Sequence, residues 1–118
     1  MKILLSPIRS NTALEAIVAG DVITLNGEVA DFSSLPEGAV IPRHAIDSMW
    51  IAGDVSRVNG EIHLTILLPH GADAPEETRF PAAFSDPMTV TYGMVPLPPY
   101  NAPVIDEGSQ PEQGGLLA

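Results

Sequence analysis

Two Asn-Gly dipeptides, Asn26-Gly27 and Asn59-Gly60, each lie between two segments rich in aliphatic residues. A two-residue turn of type I′ requires positive φ at both central positions, which Asn tolerates and Gly adopts freely. Such a dipeptide between apolar runs is the strongest short-range sign of a β-hairpin. The sequence therefore predicts one hairpin over residues 21–32 and a second over residues 51–68, and hence a β-rich fold.

The register of the second hairpin can be predicted in two independent ways, from its turn and from its hydrophobic pattern. Counting outward from Asn59-Gly60 places mostly apolar residues on one face, in the pairs Arg57–Ile62, Val55–Leu64, Gly53–Ile66 and Ile51–Leu68. The opposite face is mostly polar, with the pairs Val58–Glu61, Ser56–His63 and Asp54–Thr65. A slip of one residue would exchange the two faces, so turn chemistry and side-chain pattern predict the same register.

The first hairpin follows from the same count around Asn26-Gly27. One face carries the pairs Leu25–Glu28, Ile23–Ala30 and Asp21–Phe32, and the other carries Thr24–Val29 and Val22–Asp31.

Shorter extended segments complete the predicted fold. Strands are expected at residues 2–6, 12–18 and 88–92, with one helical turn at residues 13–16 as an alternative. Residues 40–41 are predicted to be extended because Pro42 disfavours helical geometry in the residue before it. Residues 45–50 are predicted either to form a short helical or 3₁₀ turn or to lead into the next strand. Residues 70–86, with several prolines, are predicted to be a long loop.

These elements predict an all-β or mainly β fold. We expect residues 1–95 to form a β-rich globular module, a small antiparallel sandwich or a partly open barrel built on the two Asn-Gly hairpins. Residues 96–118 are rich in Pro and Gly, and they are expected to form an extended or disordered C-terminal arm.

The charge balance argues against two classes of partner. The chain has fifteen acidic and five basic residues, a net charge of −10. Binding to nucleic acid or to an anionic membrane requires a concentration of basic residues, and here no two of them are closer than seven positions. The negative charge is explained either by solubility or by docking onto a basic partner surface.

The same sequence bears on location. It has no cysteine, which excludes disulfides and thiolate sites and fits a reducing compartment. The first apolar run is too short for a signal peptide, and no apolar run reaches the ~18 residues of a membrane span. The chain is therefore expected to be made in the cytoplasm and not to be secreted by a signal peptide.

Residues capable of catalysis or metal binding form no recognisable motif. The three histidines, His44, His63 and His70, have none of the ligand spacings of known metal sites. Ser56, His63 and Asp54 fall on one hairpin face, but no strained nucleophile turn or oxyanion site accompanies them. We therefore predict no catalytic residue, no cofactor and no metal site.

Binding to another protein is the expected role, and six residues are its candidates. Trp50 is interpreted either as a core anchor or as a binding residue. Phe80 and Phe84 lie in the long loop, and Pro98, Pro99 and Tyr100 lie in the proline-rich arm. That arm either lies across a neighbouring protein or is a plain linker.

Two segments carry a resemblance to a known group of proteins. Residues 27–38 (GEVADFSSLPEG) and 68–81 (LPHGADAPEETRFP) resemble stretches of small proteins encoded among the tail-tip and tail-fibre genes of tailed bacteriophages. The likeness covers roughly residues 1–95, and the group has no enzymatic motif to transfer.

The resemblance implies a location in the virion tail and other tail proteins as partners, with a homo-oligomer within the assembly as a further option. We therefore expect a non-enzymatic accessory subunit at the tail tip or fibre base. The alternative is a tail-assembly chaperone, or an acidic inhibitor of a host protein, that stays outside the virion.

Overall fold

A computed structural model describes residues 1–101, which form two β-sheets packed around one core. The five-stranded sheet has the order β5-β6-β7-β1-β8, and the four-stranded sheet has the order β4-β3-β2-β9. The strands are β1 (Lys2–Arg9), β2 (Ala16–Ala19), β3 (Val22–Leu25), β4 (Glu28–Asp31), β5 (Val40–Ile41), β6 (Val55–Val58), β7 (Glu61–His70), β8 (Met88–Thr89) and β9 (Tyr92–Met94). The predicted all-β or mainly β class, a small sandwich or partly open barrel, is confirmed: the strands of residues 1–101 form two sheets and no closed barrel.

Both Asn-Gly hairpins are present. Asn26 and Gly27 have φ values of 49° and 85°, and Asn59 and Gly60 have values of 52° and 81°, as a type I′ turn requires. The predicted pairs of the first hairpin are confirmed from Leu25–Glu28 to Val22–Asp31. The second hairpin has its predicted pairs near the turn, including Ser56–His63.

Farther from its turn, the second hairpin departs from the predicted register. Ile51 pairs with Ile66 rather than with Leu68, and the Ala52 N–H donates to the Thr65 carbonyl at 2.8 Å. The chain before β6 therefore contains two extra residues, which form a bulge around Gly53. A shift of two residues preserves the side-chain period, so Ile51 still faces the core and is 1% exposed.

The centre of the five-stranded sheet differs from the predicted antiparallel arrangement. β1 and β7 pair in parallel over eight residues, with Ile3 beside Leu64 and Leu5 beside Ile66. Parallel neighbours need a long crossover, which no local turn signal can reveal. Here β2 to β6 provide it, and the four-stranded sheet includes three of these strands.

The segment predicted as one last strand, residues 88–92, is divided between the two sheets. β8 pairs with β1, whereas β9 pairs with β2. The chain crosses between the sheets at Val90, which is buried, and Gly93 lies inside β9 with a φ of 101°. β2 itself starts at Ala16, later than predicted, and forms a tight hairpin with β3 through Gly20 and Asp21.

The core is mainly aliphatic, and alternate residues of both sheets supply most of it. The five-stranded sheet contributes Ile3, Leu5, Val55, Ile62, Leu64, Ile66 and Leu68, and the four-stranded sheet contributes Ala16, Val18, Ile23 and Leu25. Each fully buried Ile, Leu or Val contributes about 1.5–3 kcal/mol to folding. The apolar contact between the sheets is therefore the main source of stability.

Arg57 adds a polar connection between the two sheets. It lies on β6, and its guanidinium donates to Asp21 Oδ2 at 2.9 Å, to the Phe32 carbonyl at 3.1 Å and to the Leu35 carbonyl at 2.5 Å. The sequence predicted Arg57 to be the one charged residue on the apolar face of the second hairpin. A charged residue is accommodated there because its guanidinium reaches three acceptors, which lie at the end of the β3–β4 hairpin and in the loop after it.

The predicted loop over residues 70–86 is more structured than its prolines suggest. β7 extends to His70, a single turn of helix, α1, covers Glu76–Arg79, and a 3₁₀ turn covers Ala82–Phe84. Pro75 and Pro81 directly precede these two turns, where a missing N–H costs nothing. A further 3₁₀ turn covers Arg43–Ala45.

Two glycine substitutions test the turn geometry of the second hairpin. Gly60→Ala places a side chain at a φ of 81° and is expected to lower the free energy of unfolding by about 1–2 kcal/mol. Gly53→Ala is the matched control, because Gly53 has no positive φ and open space around its α-carbon, and it should be neutral or stabilising by about 0.4–1 kcal/mol. Denaturant unfolding measures both, and equal destabilisation by the two changes would contradict the assigned turn.

Candidate protein-binding surface

Phe80 and Phe84 lie on the surface, 70% and 63% exposed, although both are large aromatic residues. They border an open groove of about 480 Å³ that Pro7, Arg79, Pro81, Ala82 and Ser85 complete. We call it the Phe80/Phe84 groove. Exposed aromatic side chains around a concave apolar surface are typical of sites that receive apolar groups of a partner.

The two rings point outward because neighbouring residues, before and between the two phenylalanines, are buried. Thr78 is 0% exposed, Pro81 is buried and Ala83 is 8% exposed. The Phe80 N–H donates to the Glu76 carbonyl at 2.8 Å, and the Phe84 N–H donates to the Pro81 carbonyl at 3.0 Å. The exposure of the phenylalanines therefore results from a hydrogen-bonded local structure.

One cation lies beside the groove. The Arg79 guanidinium carbon is 5.6 Å from the centre of the Phe80 ring, within cation–π distance, and Arg79 Nε donates to the Ala74 carbonyl at 3.1 Å. The groove thus combines apolar rings with one positively charged group. It can receive an apolar or aromatic side chain together with an acceptor oxygen.

The described part of the proline-rich arm, residues 96–101, lies across the chain's own body. The Thr78 hydroxyl donates to the Pro99 carbonyl at 2.6 Å, and the Gly71 N–H donates to the Tyr100 carbonyl at 2.8 Å. The Tyr100 hydroxyl donates to the Ser10 carbonyl. The predictions for residues 102–118 fall outside the described residues.

A close approach at Gly71 completes this contact. A β-carbon there would lie 2.0 Å from Asn101 Oδ1, which accepts from the Asp73 N–H at 3.2 Å. Pro98 lines a second apolar hollow of about 310 Å³ with Leu5, Pro81 and Pro87. The arm residues Pro98, Pro99 and Tyr100 therefore contact their own module, whatever else they bind.

Trp50 occupies the core rather than the surface. Only 6% of it is exposed, and it belongs to the same buried cluster as Ile51 and Leu68. This position matches the interpretation as a core anchor and leaves little area for a partner. Of the six candidate residues, Phe80 and Phe84 are the two that the structure brings together on an exposed surface.

The residues with catalytic potential have structural contacts. Ser56 lies opposite His63, as predicted, but the Asp54 carboxylate accepts from the Arg43 N–H at 2.8 Å. His70 Nδ1 lies 3.0 Å from the Gly71 carbonyl. Within residues 1–101, no three His, Asp or Glu side chains form a group that could hold a metal ion.

The outer face of the four-stranded sheet is a second exposed surface, which the sequence pattern did not indicate. Val29 is 68% exposed, Ile17 40%, Met94 64% and Tyr92 79%. Alternation along β3 and β4 already placed Thr24 and Val29 on one face. The sequence alone could not predict that Tyr92 and Met94 of β9 join this face, because their position depends on pairing with β2, more than seventy positions away in sequence.

Asp31 lies on this outer face with an altered acidity. Hydrogen bonds from Ser33, first from its side chain and then from its backbone N–H at 2.9 Å, lower the pKa of the Asp31 carboxyl below its ordinary 3.8. Both bonds favour the charged form. The face therefore keeps a negative charge to lower pH than an ordinary aspartate would give it.

Comparison of the chain with protein-family models, with curated proteins and with solved structures yields no match. In residues 1–101, no helix is both long and apolar enough to cross a membrane. Any statement about function therefore depends on the surfaces themselves and on the sequence resemblance.

Thr78→Val tests the attachment of the arm. It removes the hydroxyl that bonds the Pro99 carbonyl, so the free energy of unfolding should fall by about 1–2 kcal/mol and the Gly71 N–H should exchange faster with solvent. Thr89→Val is the control, since Thr89 is exposed and its hydroxyl accepts only from Lys2 Nζ; the expected change is within about 0.5 kcal/mol. Unchanged exchange at Gly71 in the Thr78 variant would contradict the assigned contact.

Ser33→Ala tests the acidity of Asp31. Loss of the hydroxyl removes the largest cause of the shift, so the pKa of Asp31 should rise toward 3.8. Because the folded-state pKa is the lower one, the stabilising contribution is present above the ordinary pKa and is lost as pH falls through the folded value. Titration of the Asp31 carboxyl by NMR measures this, with Ser34→Ala as the control; equal values in all three proteins would refute the assignment.

Proposed function

We propose that the chain is a non-enzymatic protein-binding module that serves as an accessory subunit of a bacteriophage tail, at the tail tip or fibre base. The observation that carries the proposal is the Phe80/Phe84 groove. It presents two aromatic rings on a backbone that is already hydrogen-bonded in this conformation. A preformed site loses little conformational entropy on binding, which favours affinity.

The energetics of the groove support a protein partner. Burial of one phenylalanine side chain contributes about 1.5–3 kcal/mol, and binding energy in protein interfaces concentrates in a few such residues. Pro7, Pro81 and Ala82 around the rings add apolar surface with little side-chain entropy to lose. The groove thus has the composition of an interface centre.

The tail is proposed as the location because of where the resemblance falls. One of the two segments that resemble phage tail-gene products, residues 68–81, includes α1 and Phe80. The other, residues 27–38, includes β4 and the loop that Arg57 contacts. Both segments therefore overlap the surfaces described above or the elements that support them.

A second candidate function is a soluble tail-assembly chaperone or an acidic inhibitor of a host protein. The net charge of −10 favours it, because an acidic surface can cover a basic target. This function predicts association that weakens strongly as salt rises, since exposed charges are screened over about 10 Å at 0.1 M salt.

The test compares purified phage particles with the lysate in which they form. Mass spectrometry of particles from cells expressing the wild-type chain should detect it, whereas Phe80→Ser/Phe84→Ser should reduce incorporation by about tenfold or more. Met49→Ser is the matched control, because Met49 is an equally exposed apolar residue (66%) outside the groove. Thermal unfolding of all three proteins must show the same stability.

Each outcome separates the alternatives. Incorporation that depends on Phe80 and Phe84 supports the proposal. Complete tails without the chain would contradict it and favour the chaperone or inhibitor. A chain incorporated equally well with the double substitution would be a tail subunit whose contact lies outside the groove.

A further inference from the structure

The outer face of the four-stranded sheet is largely apolar and exposed to solvent. The strand pairing aligns Val29, Thr24, Ile17 and Met94 in one row across the sheet and Asp31, Val22, Ala19 and Tyr92 in the next. Side chains of the opposite parity, such as Val18 and Ile23, point into the core. Four large apolar side chains that are 40–79% exposed thus share one face of a short sheet.

The charged residues within and directly beside the four strands of this sheet are all acidic. Glu15 and Glu28 lie at the ends of β2 and β4, and Asp31 lies on the face itself. The five Lys and Arg residues of the chain all lie outside β2, β3, β4 and β9. Arg57, which reaches the end of the β3–β4 hairpin, is bound to Asp21 and to backbone carbonyls.

The exposed apolar side chains and the acidic residues together favour one kind of partner for this face over others. A second copy would bring the same acidic residues against the same face, in a chain whose net charge is −10. Like charges brought together in this way oppose association. Nucleic acid and anionic membranes are repelled for the same reason. An apolar face with an acidic border is complementary to a protein surface with an apolar centre and Lys or Arg at its edge.

We propose that the outer face of the four-stranded sheet is a second docking surface, which binds a partner protein through an apolar patch bordered by basic residues. It is distinct from the Phe80/Phe84 groove, which includes Pro7 of β1 and therefore belongs to the other sheet. Apolar contact at Ile17, Val29, Tyr92 and Met94 provides affinity. The acids provide selectivity for a basic partner and faster association.

The experiment uses the full chain and peptides of defined chemistry, so it does not depend on the chain being a tail protein. The probe is a short peptide of alternating leucine and lysine, and its charge-reversed counterpart alternates leucine and glutamate. Binding is followed by NMR of the methyl groups of Met94, Ile17 and Val29. The leucine–lysine peptide should shift these signals, and its apparent affinity should fall as salt rises.

Two double variants locate the binding. Val29→Thr/Met94→Thr removes apolar area and places threonine, a β-branched residue that suits a strand, at both positions; it should lower the affinity for the peptide by about tenfold or more. Phe80→Ser/Phe84→Ser should leave the affinity unchanged. Equal binding of the leucine–glutamate peptide, or shifts that map to the groove, would overturn the proposal. Shifts of the same methyl groups with concentration of the protein alone would show that a second copy occupies the face, and would overturn it too.

Discussion

The parallel pairing of β1 with β7 is the constraint on which the rest of the fold depends. Eight residue pairs join the two strands, and their core-facing side chains include Ile3, Leu5, Leu64 and Ile66, all at most 3% exposed. Parallel neighbours cannot be joined by a tight turn. The chain between β1 and β7 must therefore form a long crossover. This crossover contains three of the four strands of the second sheet, which covers the apolar side of the five-stranded sheet.

The same pairing positions the Phe80/Phe84 groove and the described part of the proline-rich arm. Because Ile8 lies beside Pro69 and Arg9 beside His70, β7 ends next to the end of β1, and the chain enters α1 close to Pro7. The arm then reaches Ser10 through Tyr100. The Phe80/Phe84 groove is thus formed where two paired strands end, and its shape depends on a contact between residues more than sixty positions apart in sequence.

Turn residues and side-chain alternation predicted the hairpins, which are formed by residues close together in sequence. They did not predict pairing between residues far apart in sequence. The Asn-Gly turns and the alternation beside them predicted both hairpins, because each pair lies within a few residues of its turn. The parallel pair, the division of residues 88–92 between two sheets and the grouping of Tyr92 with Ile17 depend on contacts that no turn specifies. Phe80 and Phe84 were predicted as binding residues, but their outward position depends on the buried Thr78, Pro81 and Ala83. Trp50 shows the converse: the sequence was compatible with a core anchor and with a binding residue, and the structure buries it in the core.

The division of the chain into two sheets also divides its surface chemistry. The five-stranded sheet and the turns after it contain the basic residues and the aromatic groove, whereas the four-stranded sheet presents an apolar face with acids alone. Arg57 is the exception that joins them, and its charge is used within the molecule at the boundary between the sheets. The two proposed contacts, at the Phe80/Phe84 groove and at the outer face of the four-stranded sheet, would therefore lie on separate sheets and suit partners of different chemistry. Binding at both surfaces would fix the orientation of the chain between its two partners, because neither surface could take the place of the other.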